Sequence, residues 1–247
     1  MLAQILRAIR RQPPRSSSSR ELALHIEPRV TVEDRCVLKR LVKQSVRPGG
    51  IVVEVGSFLG NGSTQTFVEA LTPLSGTLYC VDTWRGNENV PWHQQMARAY
   101  DLFGTFRHYV ALADGTRMVK PMVMPSRDAA RVLADGVADL VFIDGDHAYS
   151  GVKEDIEIWR PKVRKGGILC GHDCEGRIEE FGADRVAASL EGDFVPVERH
   201  TFAGFHPGPV TAVTELLGDA AMLWAHRSLT EEGFDERRRS SIWHVDL

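Results

Sequence analysis

The sequence predicts an α/β fold whose core is a doubly wound, mostly parallel β-sheet. Five short segments rich in apolar and β-branched residues alternate with helical segments along the chain, which is typical of βαβ units. These segments are largely apolar, as expected of strands that helices cover on both faces. Polar or acidic residues directly follow most of them, and ligands bind at the carboxyl ends of the strands in such sheets.

The individual elements follow from hydrophobic periodicity and from the turns between them. Strands are predicted at 51–56, 77–82, 119–125, 138–144 and 166–173, and two more at 220–226 and 241–247. Helices are predicted at 31–46, 60–71, 126–133, 152–159 and 207–217, within 84–108 and at 177–190. This makes seven strands in one sheet, with an antiparallel strand at the C-terminus, in a single domain over 31–247.

The composition excludes several classes of protein. The chain has 247 residues, 43% hydrophobic and 26% charged, the balance of an ordinary globular protein. A net charge of −3 argues against a nucleic-acid-binding protein. No apolar run approaches the roughly 18 residues that span a bilayer, so no integral membrane contact is expected. Four cysteines do not indicate a disulfide scaffold, and a cytoplasmic location is expected.

The first 30 residues are predicted to be a basic, partly flexible extension. The first 20 contain five arginines and no acid. Residues 2–11 have apolar residues at helical spacing, and two prolines and four serines follow. One interpretation is a targeting or membrane-surface helix. The short apolar stretch favours the other, a terminal helix that frays or docks on the domain or on a second subunit.

A glycine-rich loop follows the first strand, with Glu54 and Gly56 before Gly60 and Gly62. Glycines let the backbone approach a ligand closely, and the next helix offers free N–H groups. The spacing differs from the GxGxxG fingerprint of dinucleotide-binding proteins. Asp82 ends the second strand, where an acid is well placed to bind ribose hydroxyls. Alone, the loop is equally explained as a tight strand-to-helix connection, but together with Asp82 it favours a cofactor site.

Acidic residues and histidines cluster after the fourth and fifth strands. Asp144, Asp146 and His147 follow the fourth strand, and His172 and Asp173 end the fifth. Like charges this close repel unless a cation or hydrogen bonds offset them, and histidine exchanges its proton near neutral pH. Asp144 and Asp173 are therefore predicted to share a divalent ion, for which Mg²⁺ has the right preference for oxygen. Separate helix caps are the alternative.

The remaining connections supply the other candidate contacts. Ser126, after the third strand, either caps the next helix or contacts an adenine ring, and the two roles are compatible. Two long connections, 84–109 and 175–206, are predicted to form a substrate cap, because long connections in compact domains are often binding loops. The pocket candidates there are Trp84, Trp92 and His93.

The run from Ile51 to Cys174 resembles the class I S-adenosylmethionine-dependent methyltransferases. It is most similar to the bacterial small-molecule O-methyltransferases, whose hallmark resembles FIDGDHAYSGVKEDIEIWRPKVRKGGILCGHD, and more distantly to catechol and caffeoyl-CoA O-methyltransferases. The resemblance implies a Rossmann-like sheet, S-adenosyl-L-methionine as cofactor, Mg²⁺, and assembly into homo-oligomers.

The resemblance also implies roles for individual residues. The methionine end of the cofactor would be lined by Glu54, Gly56, Ser57, Gly60, Gly62 and Ser63. Asp82 would bind the ribose, and Ser126 would lie near the adenine. Asp144 would lie beside the cofactor amine and be the first metal ligand, with Asp173 as the second. His147 stands at the position of the relatives' catalytic lysine and is the predicted base.

One departure concerns the metal ligands. The catecholic relatives have an asparagine after the second metal-binding aspartate, where this chain has Cys174, a poor ligand for Mg²⁺. His172 and Glu175 are the candidates to replace it. His172 is also a candidate substrate contact.

The predicted function is transfer of a methyl group from S-adenosylmethionine to a hydroxyl of a sugar-containing small molecule or secondary metabolite. Asp144 and the metal would position the acceptor and lower the pKa of its hydroxyl, and His147 would take the proton. A nicotinamide-dependent oxidoreductase is one alternative, which the glycine spacing disfavours. A non-catalytic, cofactor-binding partner subunit is the other, which the intact acids and His147 disfavour.

Overall fold

The structure, a computed structural model, describes residues 26–87, 90–198 and 201–247. In these ranges the strands are β1 (Ile51–Val55), β2 (Thr77–Asp82), β3 (Val119–Val123), β4 (Ala138–Ile143), β5 (Val163–Gly171), β6 (Val195–Pro196), β7 (Gly204–Phe205), β8 (Met222–Leu223) and β9 (Trp243–Asp246). The helices are α1 (Val32–Ser45), α2 (Ser63–Leu71), α3 (Pro91–Ala99), α4 (Leu102–Leu112), α5 (Ser126–Val132), α6 (Tyr149–Trp159), α7 (Ile178–Phe181), α8 (Ala183–Ala187) and α9 (Pro207–Leu217).

Seven of the strands form one sheet, in the order β3-β2-β1-β4-β5-β9-β8. β1 to β5 pair in parallel, whereas β9 is antiparallel to both β5 and β8. The predicted sheet is confirmed, including its antiparallel C-terminal strand. The strand order reverses between β1 and β4, so the crevice at the carboxyl ends of these two strands is where a sheet of this type binds ligands.

Side chains of the central strands alternate between two apolar cores, one on each face of the sheet. In β4, Leu140 and Phe142 belong to one core and Val141 and Ile143 to the other, and all four are buried. Helices α1, α2 and α4 contribute to the first core, and α5, α6 and α9 to the second. Because helices cover both faces, residues 140–143 of β4 are all apolar.

Two predicted elements differ from the structure. The helix predicted at 177–190 is divided into α7 and α8, because Gly182 between them has a φ of +85°, outside the helical region. The strand predicted at 220–226 ends at Leu223. Trp224 then begins a 3₁₀ turn, and its indole N–H donates to His244 Nδ1 at 3.1 Å.

Residues 26–30, the described part of the predicted extension, pack on the domain. Val30 is buried, and Ile26 lies against the first core. The Ile26 carbonyl accepts a hydrogen bond from Asn61 Nδ2 at 3.0 Å. The predicted helix at 2–11 and the serine segment lie outside the described residues. Over the described ranges, no helix has both the length and the apolar character needed to cross a membrane.

Asp139 connects the amino-terminal end of β4 to the segments that precede β1 and begin β5. Its side chain is 1% exposed and accepts from Arg47 Nε at 2.7 Å, Arg164 Nε at 2.6 Å and Ile51 N at 2.9 Å. Breaking such a buried ion pair leaves charge uncompensated. Asp139→Asn is therefore expected to lower the free energy of unfolding by about 3 kcal/mol at pH 7, as measured by urea denaturation.

This stabilisation should depend on pH. Burial alone would raise the pKa of Asp139, but the hydrogen bonds from Arg47 and Arg164 outweigh it and lower the pKa. The contribution is therefore complete above the unfolded-state pKa of about 3.9 and is lost as the pH falls through the lower folded-state pKa. The difference in unfolding free energy between wild type and Asp139→Asn should shrink below about pH 4. A difference that stays constant there would contradict this account.

Candidate active site

The loops that follow β1 and β4 meet where the strand order reverses. Gly56 follows β1 with a φ of +90°, and a Cβ at this position would overlap the backbone carbonyl of Asp144. The ladder extends past the strands, since Gly56 N donates to Val81 O at 2.9 Å and Asp144 N to Val55 O at 2.8 Å. Only glycine, which lacks a Cβ, fits at this crossing and also adopts a positive φ without strain.

Gly60 and Gly62, later in the glycine loop, pack against other parts of the protein. Gly60 has a φ of +75°, and its Cβ position is 2.8 Å from the Phe106 ring. Gly62 precedes α2 and packs against Val30. Helix α2 begins at Ser63, so the free N–H groups of its first turn lie at the end of the loop.

Glu54 lies in β1 beneath this loop and is fully buried. Its Oε2 accepts from the hydroxyls of Ser57 at 2.7 Å and Thr64 at 2.6 Å, and from the Cys80 thiol at 3.3 Å. Burial raises the pKa of Glu54, although hydrogen bonds from these groups and from Ser63 oppose the rise. Among the described residues, its Oε1 has no hydrogen-bond partner. Glu54 therefore connects β1 to the glycine loop through buried hydrogen bonds.

Asp82, at the end of β2, holds the loop through its backbone. Its Oδ2 accepts from Phe58 N at 2.8 Å, and its Oδ1 from Trp84 N at 2.7 Å. Phe58 has a φ of +44°, so the loop turns sharply at the point where Asp82 binds it. Burial raises the pKa of Asp82, and the backbone N–H donors oppose this. The residue remains partly exposed.

The prediction that Trp84 lines the pocket is corrected by the structure. Its side chain is buried, and its ring centroid lies 4.7 Å from those of both Phe103 and Phe106. Its indole N–H donates to Phe58 O at 2.7 Å. Trp84 is therefore a core residue that supports the loop, because its one polar group is satisfied inside the protein. Phe106 belongs to the same core, and Phe103 packs against it.

Trp92 and His93 lie beside the glycine loop, where both rings contact Phe58. The His93 ring stacks on Phe58 with a centroid distance of 4.9 Å, and Trp92 contacts Phe58 edge-on at 5.8 Å. The Arg29 guanidinium lies 4.6 Å from the Trp92 ring centroid. Burial lowers the pKa of His93 to about 4, and the nearby charge of His147 contributes. His93 is therefore a neutral ring on the side of the site that His147 occupies.

Ser126 does not cap a helix, which corrects one of its two predicted roles. Helix α5 begins at Ser126 itself, with Pro125 before it and no side-chain cap. The Ser126 hydroxyl instead donates to Asp155 Oδ1 at 2.5 Å and accepts from the Trp159 indole N–H at 2.8 Å. Burial raises the pKa of Asp155 to about 7 despite that hydrogen bond. These contacts join α5 to α6.

The predicted acids and histidines converge at the ends of β4 and β5. His172 Nδ1 lies 3.0 Å from Asp173 Oδ1 and 3.6 Å from Asp144 Oδ1. His147 Nε2 lies 3.0 Å from Asp173 Oδ2. Asp173 has a φ of +61°, a left-handed conformation that is uncommon outside glycine. Its carboxylate thereby contacts both imidazole rings.

Histidines set the charge of these two acids. Burial raises the pKa of Asp144, with His172 opposing the rise. Burial would also raise the pKa of Asp173, but His172, His206 and His147 together hold it well below its ordinary value. Asp173 is therefore the ionised carboxylate at the centre of the cluster.

His147 is held at both ring nitrogens. While Nε2 contacts Asp173, Nδ1 lies 2.5 Å from Asp193 Oδ1. Burial alone would lower the pKa of His147, but the two carboxylates outweigh it and raise the pKa well above its ordinary value. Asp146, by contrast, accepts from Ala148 N at 3.1 Å, near the start of α6.

His172 lies between the carboxylates of Asp34, Asp144 and Asp173, which come from three parts of the chain. Its Nε2 lies 3.1 Å from Asp34 Oδ2, opposite the contacts of Nδ1 with Asp173 and Asp144. Asp34 is 2% exposed, so His172 connects the active-site cluster to the first turn of α1. This position makes His172 part of the cluster and leaves its ring little surface for substrate.

Of the two residues predicted to replace the missing asparagine, only His172 touches both predicted metal ligands. Glu175 instead accepts from His206, at 2.7 Å from Nδ1 and 3.0 Å from the backbone N–H. The Cys174 thiol is fully buried and directed to Gly176 O at 3.6 Å. Cys174 therefore offers no ligand to the site.

The sequence did not indicate Asp34, Asp193 or His206 as site residues. Asp34 is the third residue of α1 and forms a capping box with Thr31, which is a purely local signal. Asp193 and His206 both lie in the segment 175–206. The length of this segment is the one sequence feature that indicates a cap over the site.

Residues 53–174 match the family model described as "Methyltransferase domain". The chain carries a methyltransferase domain. The match includes every predicted cofactor and metal residue, and the resemblance to the class I S-adenosylmethionine-dependent methyltransferases is confirmed. Asp34, Asp193 and His206 lie outside the matched residues.

Solved structures and one curated protein resemble this methyltransferase chain. The O-methyltransferase TomG from Streptomyces achromogenes, solved with S-adenosylmethionine, is 13% identical, with a TM-score of 0.56 over 100% of this chain and 96% of that chain. CalS11, a TDP-rhamnose 3'-O-methyltransferase of calicheamicin biosynthesis, is 18% identical, with a TM-score of 0.52 over 99% of this chain and 92% of that chain. At these identities the likeness shows the fold.

The curated relative is the uncharacterized protein y4gI of Sinorhizobium fredii. It is 28% identical over 141 residues, which are 56% of this chain. The chain spans only 15% of the length of that relative.

Proposed function

We propose that this chain transfers the methyl group of S-adenosylmethionine to a hydroxyl oxygen of a small molecule. The observation that carries the proposal is the arrangement at the β1/β4 crevice. A glycine-rich loop crosses Asp144 there, and His147, His172 and Asp173 lie at the adjoining strand ends. The methyltransferase match covers this crevice.

The residues around the loop fit this cofactor. When bound, S-adenosylmethionine supplies an electrophilic methyl group on a sulfonium ion. Asp82 would bind the ribose, Asp144 the cofactor amine, and Ser126 would lie near the adenine. The methionine end would be lined by Gly56, Ser57, Gly60, Gly62 and Ser63. Glu54 is fully buried and accepts hydrogen bonds from Ser57 and Thr64, so its proposed role is to hold the loop.

His147 is proposed as the base that removes the acceptor proton. To do so, His147 must first release the Nε2 proton that faces Asp173 to solvent, and the neutral Nε2 must then turn to the acceptor hydroxyl while Nδ1 stays on Asp193. A carboxylate on the far nitrogen fixes the orientation of the ring and stabilises it when it carries the proton, which is the role of the aspartate in a serine–histidine–aspartate triad. Positioning and proton removal are thus supplied by side chains of three different segments.

Asp144 and Asp173 are proposed to hold a divalent cation next to His147. The structure brings donor atoms of Asp144, His172 and Asp173 within 4.8 Å of one another. Such an ion lowers the pKa of a bound hydroxyl and orients it, which matters most for sugar hydroxyls because they ionise far above neutral pH. Mg²⁺ is the ion that the sequence predicts.

The acceptor is proposed to be a sugar-containing or secondary metabolite, held by the segments 84–109 and 175–206. Asp193 from the second segment already reaches His147, which supports a cap above the cluster. Trp92 and His93 from the first segment supply flat rings suited to stacking. Both TomG and CalS11 are O-methyltransferases of small-molecule biosynthesis by name.

The proposal is tested with the purified chain, methyl-labelled S-adenosylmethionine and a panel of nucleotide-activated sugars, glycosides and phenols. Mass spectrometry should find an acceptor that gains one labelled methyl group on oxygen. Label on nitrogen or carbon, or reduction of NAD(P) with these substrates, would overturn it. Cofactor binding without transfer to any acceptor in metabolite extracts would favour a non-catalytic partner subunit. Light scattering of the same sample tests the proposed homo-oligomer.

A further inference from the structure

The donor set next to the methyl-transfer site does not match Mg²⁺. That ion prefers an octahedron of oxygen atoms, whereas the third donor here is the imidazole of His172. We propose that His172 is a metal ligand together with Asp144 and Asp173, and that the site selects first-row transition ions such as Fe²⁺, Co²⁺ or Zn²⁺ over Mg²⁺. The inference rests on the proposed function in one respect, that a cation serves this site.

The separations of the donor atoms suit a small divalent ion. Metal–ligand bonds of about 2.1 Å place neighbouring ligand atoms ~3.0 Å apart in an octahedron and ~3.4 Å apart in a tetrahedron. His172 Nδ1 lies 3.0 Å from Asp173 Oδ1 and 3.6 Å from Asp144 Oδ1. An ion can therefore enter between the three atoms with small side-chain movements.

The opposite nitrogen of His172 is held as it is in metal-binding histidines, which usually donate their other N–H to a carboxylate or carbonyl. His172 Nε2 lies 3.1 Å from Asp34 Oδ2. Asp34 is in turn fixed by Thr31 N at 2.8 Å, Thr31 Oγ1 at 2.6 Å and Ser240 Oγ at 2.7 Å. A proton on Nε2 leaves the lone pair of Nδ1 facing Asp144 and Asp173. Asp34 is thus the positioning residue of the site.

The neighbouring group of donors is less suited to an ion. His147, Asp173 and His206 also lie close enough to share one. However, the Nδ1 atom of His206 is 2.7 Å from Glu175 Oε1 and 3.5 Å from Asp173 Oδ1. His147 Nδ1 is bound to Asp193, and its Nε2 is needed as the base. Of His147, His172 and His206, only His172 therefore has no other proposed role.

The test uses the full chain, freed of metal by chelation and dialysis, with Co²⁺ and Mg²⁺ titrated separately by calorimetry. Nitrogen ligation favours Co²⁺, so the wild type should bind Co²⁺ at least about 100-fold more tightly than Mg²⁺. Because many sites prefer Co²⁺ somewhat, the deciding quantity is the change on substitution. His172→Gln, which offers an uncharged oxygen, should reduce the Co²⁺/Mg²⁺ ratio at least ~10-fold. His206→Gln, the matched control, should leave the ratio unchanged.

Two further measurements keep the result independent of variant folding. Mn²⁺ bound to the wild type should show electron spin echo modulation from a directly coordinated ¹⁴N nucleus, which persists in His206→Gln. Asp34→Asn should weaken Co²⁺ binding by about 10–100-fold. No cation binding, absence of ¹⁴N modulation, or an unchanged ratio in folded His172→Gln would overturn the inference.

Calorimetry of the same samples with S-adenosylmethionine separates this outcome from the proposed function. Cofactor binding without the expected metal selectivity refutes only the role of His172. Failure to bind the cofactor refutes the proposed function itself, whatever the metal results.

Discussion

Replacing His147 with glutamine is expected to lower kcat for methyl transfer by about 10²–10⁴-fold, the usual contribution of a positioned acid–base group. The glutamine side chain cannot take up the acceptor proton, although it keeps a polar group near Asp173 and Asp193. The Kd of S-adenosylmethionine should change little, because His147 pairs with Asp173 and Asp193 and is not one of the proposed cofactor-binding residues. Single-turnover kinetics with the labelled cofactor, with calorimetry alongside, measure both quantities.

His226→Gln is the matched control for this prediction. His226 is an exposed histidine paired with Glu180 at 2.8 Å. Neither residue belongs to the cluster around Asp173. Its substitution should leave kcat unchanged. A His147→Gln variant that retains more than about a tenth of wild-type kcat would contradict the assignment of His147 as the base. A variant that loses cofactor binding to the same extent as activity would contradict it too.

Gly56→Ala is expected to have the largest effect on the cofactor site. The residue has a φ of +90°, and a Cβ there would overlap the Asp144 backbone. The left-handed conformation alone costs about 1 kcal/mol or more for alanine, and relieving the overlap must separate the loops after β1 and β4. We expect a loss of about 3 kcal/mol in unfolding free energy and no detectable binding of S-adenosylmethionine.

Gly49→Ala separates the two causes. Gly49 also has a positive φ, +72°, but a Cβ there would meet no atom within 4 Å. This control should cost only the backbone term, about 1 kcal/mol, and should retain cofactor binding. Urea denaturation and calorimetry of both variants make the comparison. Equal losses of stability in the two variants, or normal cofactor binding by Gly56→Ala, would show that the loop crossing does not form the site.

The sheet was predictable because its signal is repeated and local. Each central strand contains a run of apolar residues, such as 140–143, that is buried on both faces of the sheet. Asp144 and Asp173 were predicted to converge because they follow β4 and β5, which are neighbours in the sheet. The strand order then determines the position of the crevice.

Other parts of the site could not be predicted, for physical reasons that differ between residues. Asp34 has the local pattern of a helix cap, and only tertiary packing brings it to His172. Asp193 reaches His147 from 46 residues away in a segment without clear periodicity. For Trp84, the sequence predicts a pocket residue wrongly, because an aromatic side chain after a strand end gives no sign of whether it faces a cavity or a core.

The central claim is that the β1/β4 crevice binds S-adenosylmethionine. Calorimetric titration of the purified wild-type chain with S-adenosylmethionine, and separately with NAD and NADP, tests it most directly. The account predicts saturable binding of S-adenosylmethionine that Asp82→Ala weakens strongly, and no binding of either nicotinamide cofactor. Binding of NAD or NADP without binding of S-adenosylmethionine would contradict it.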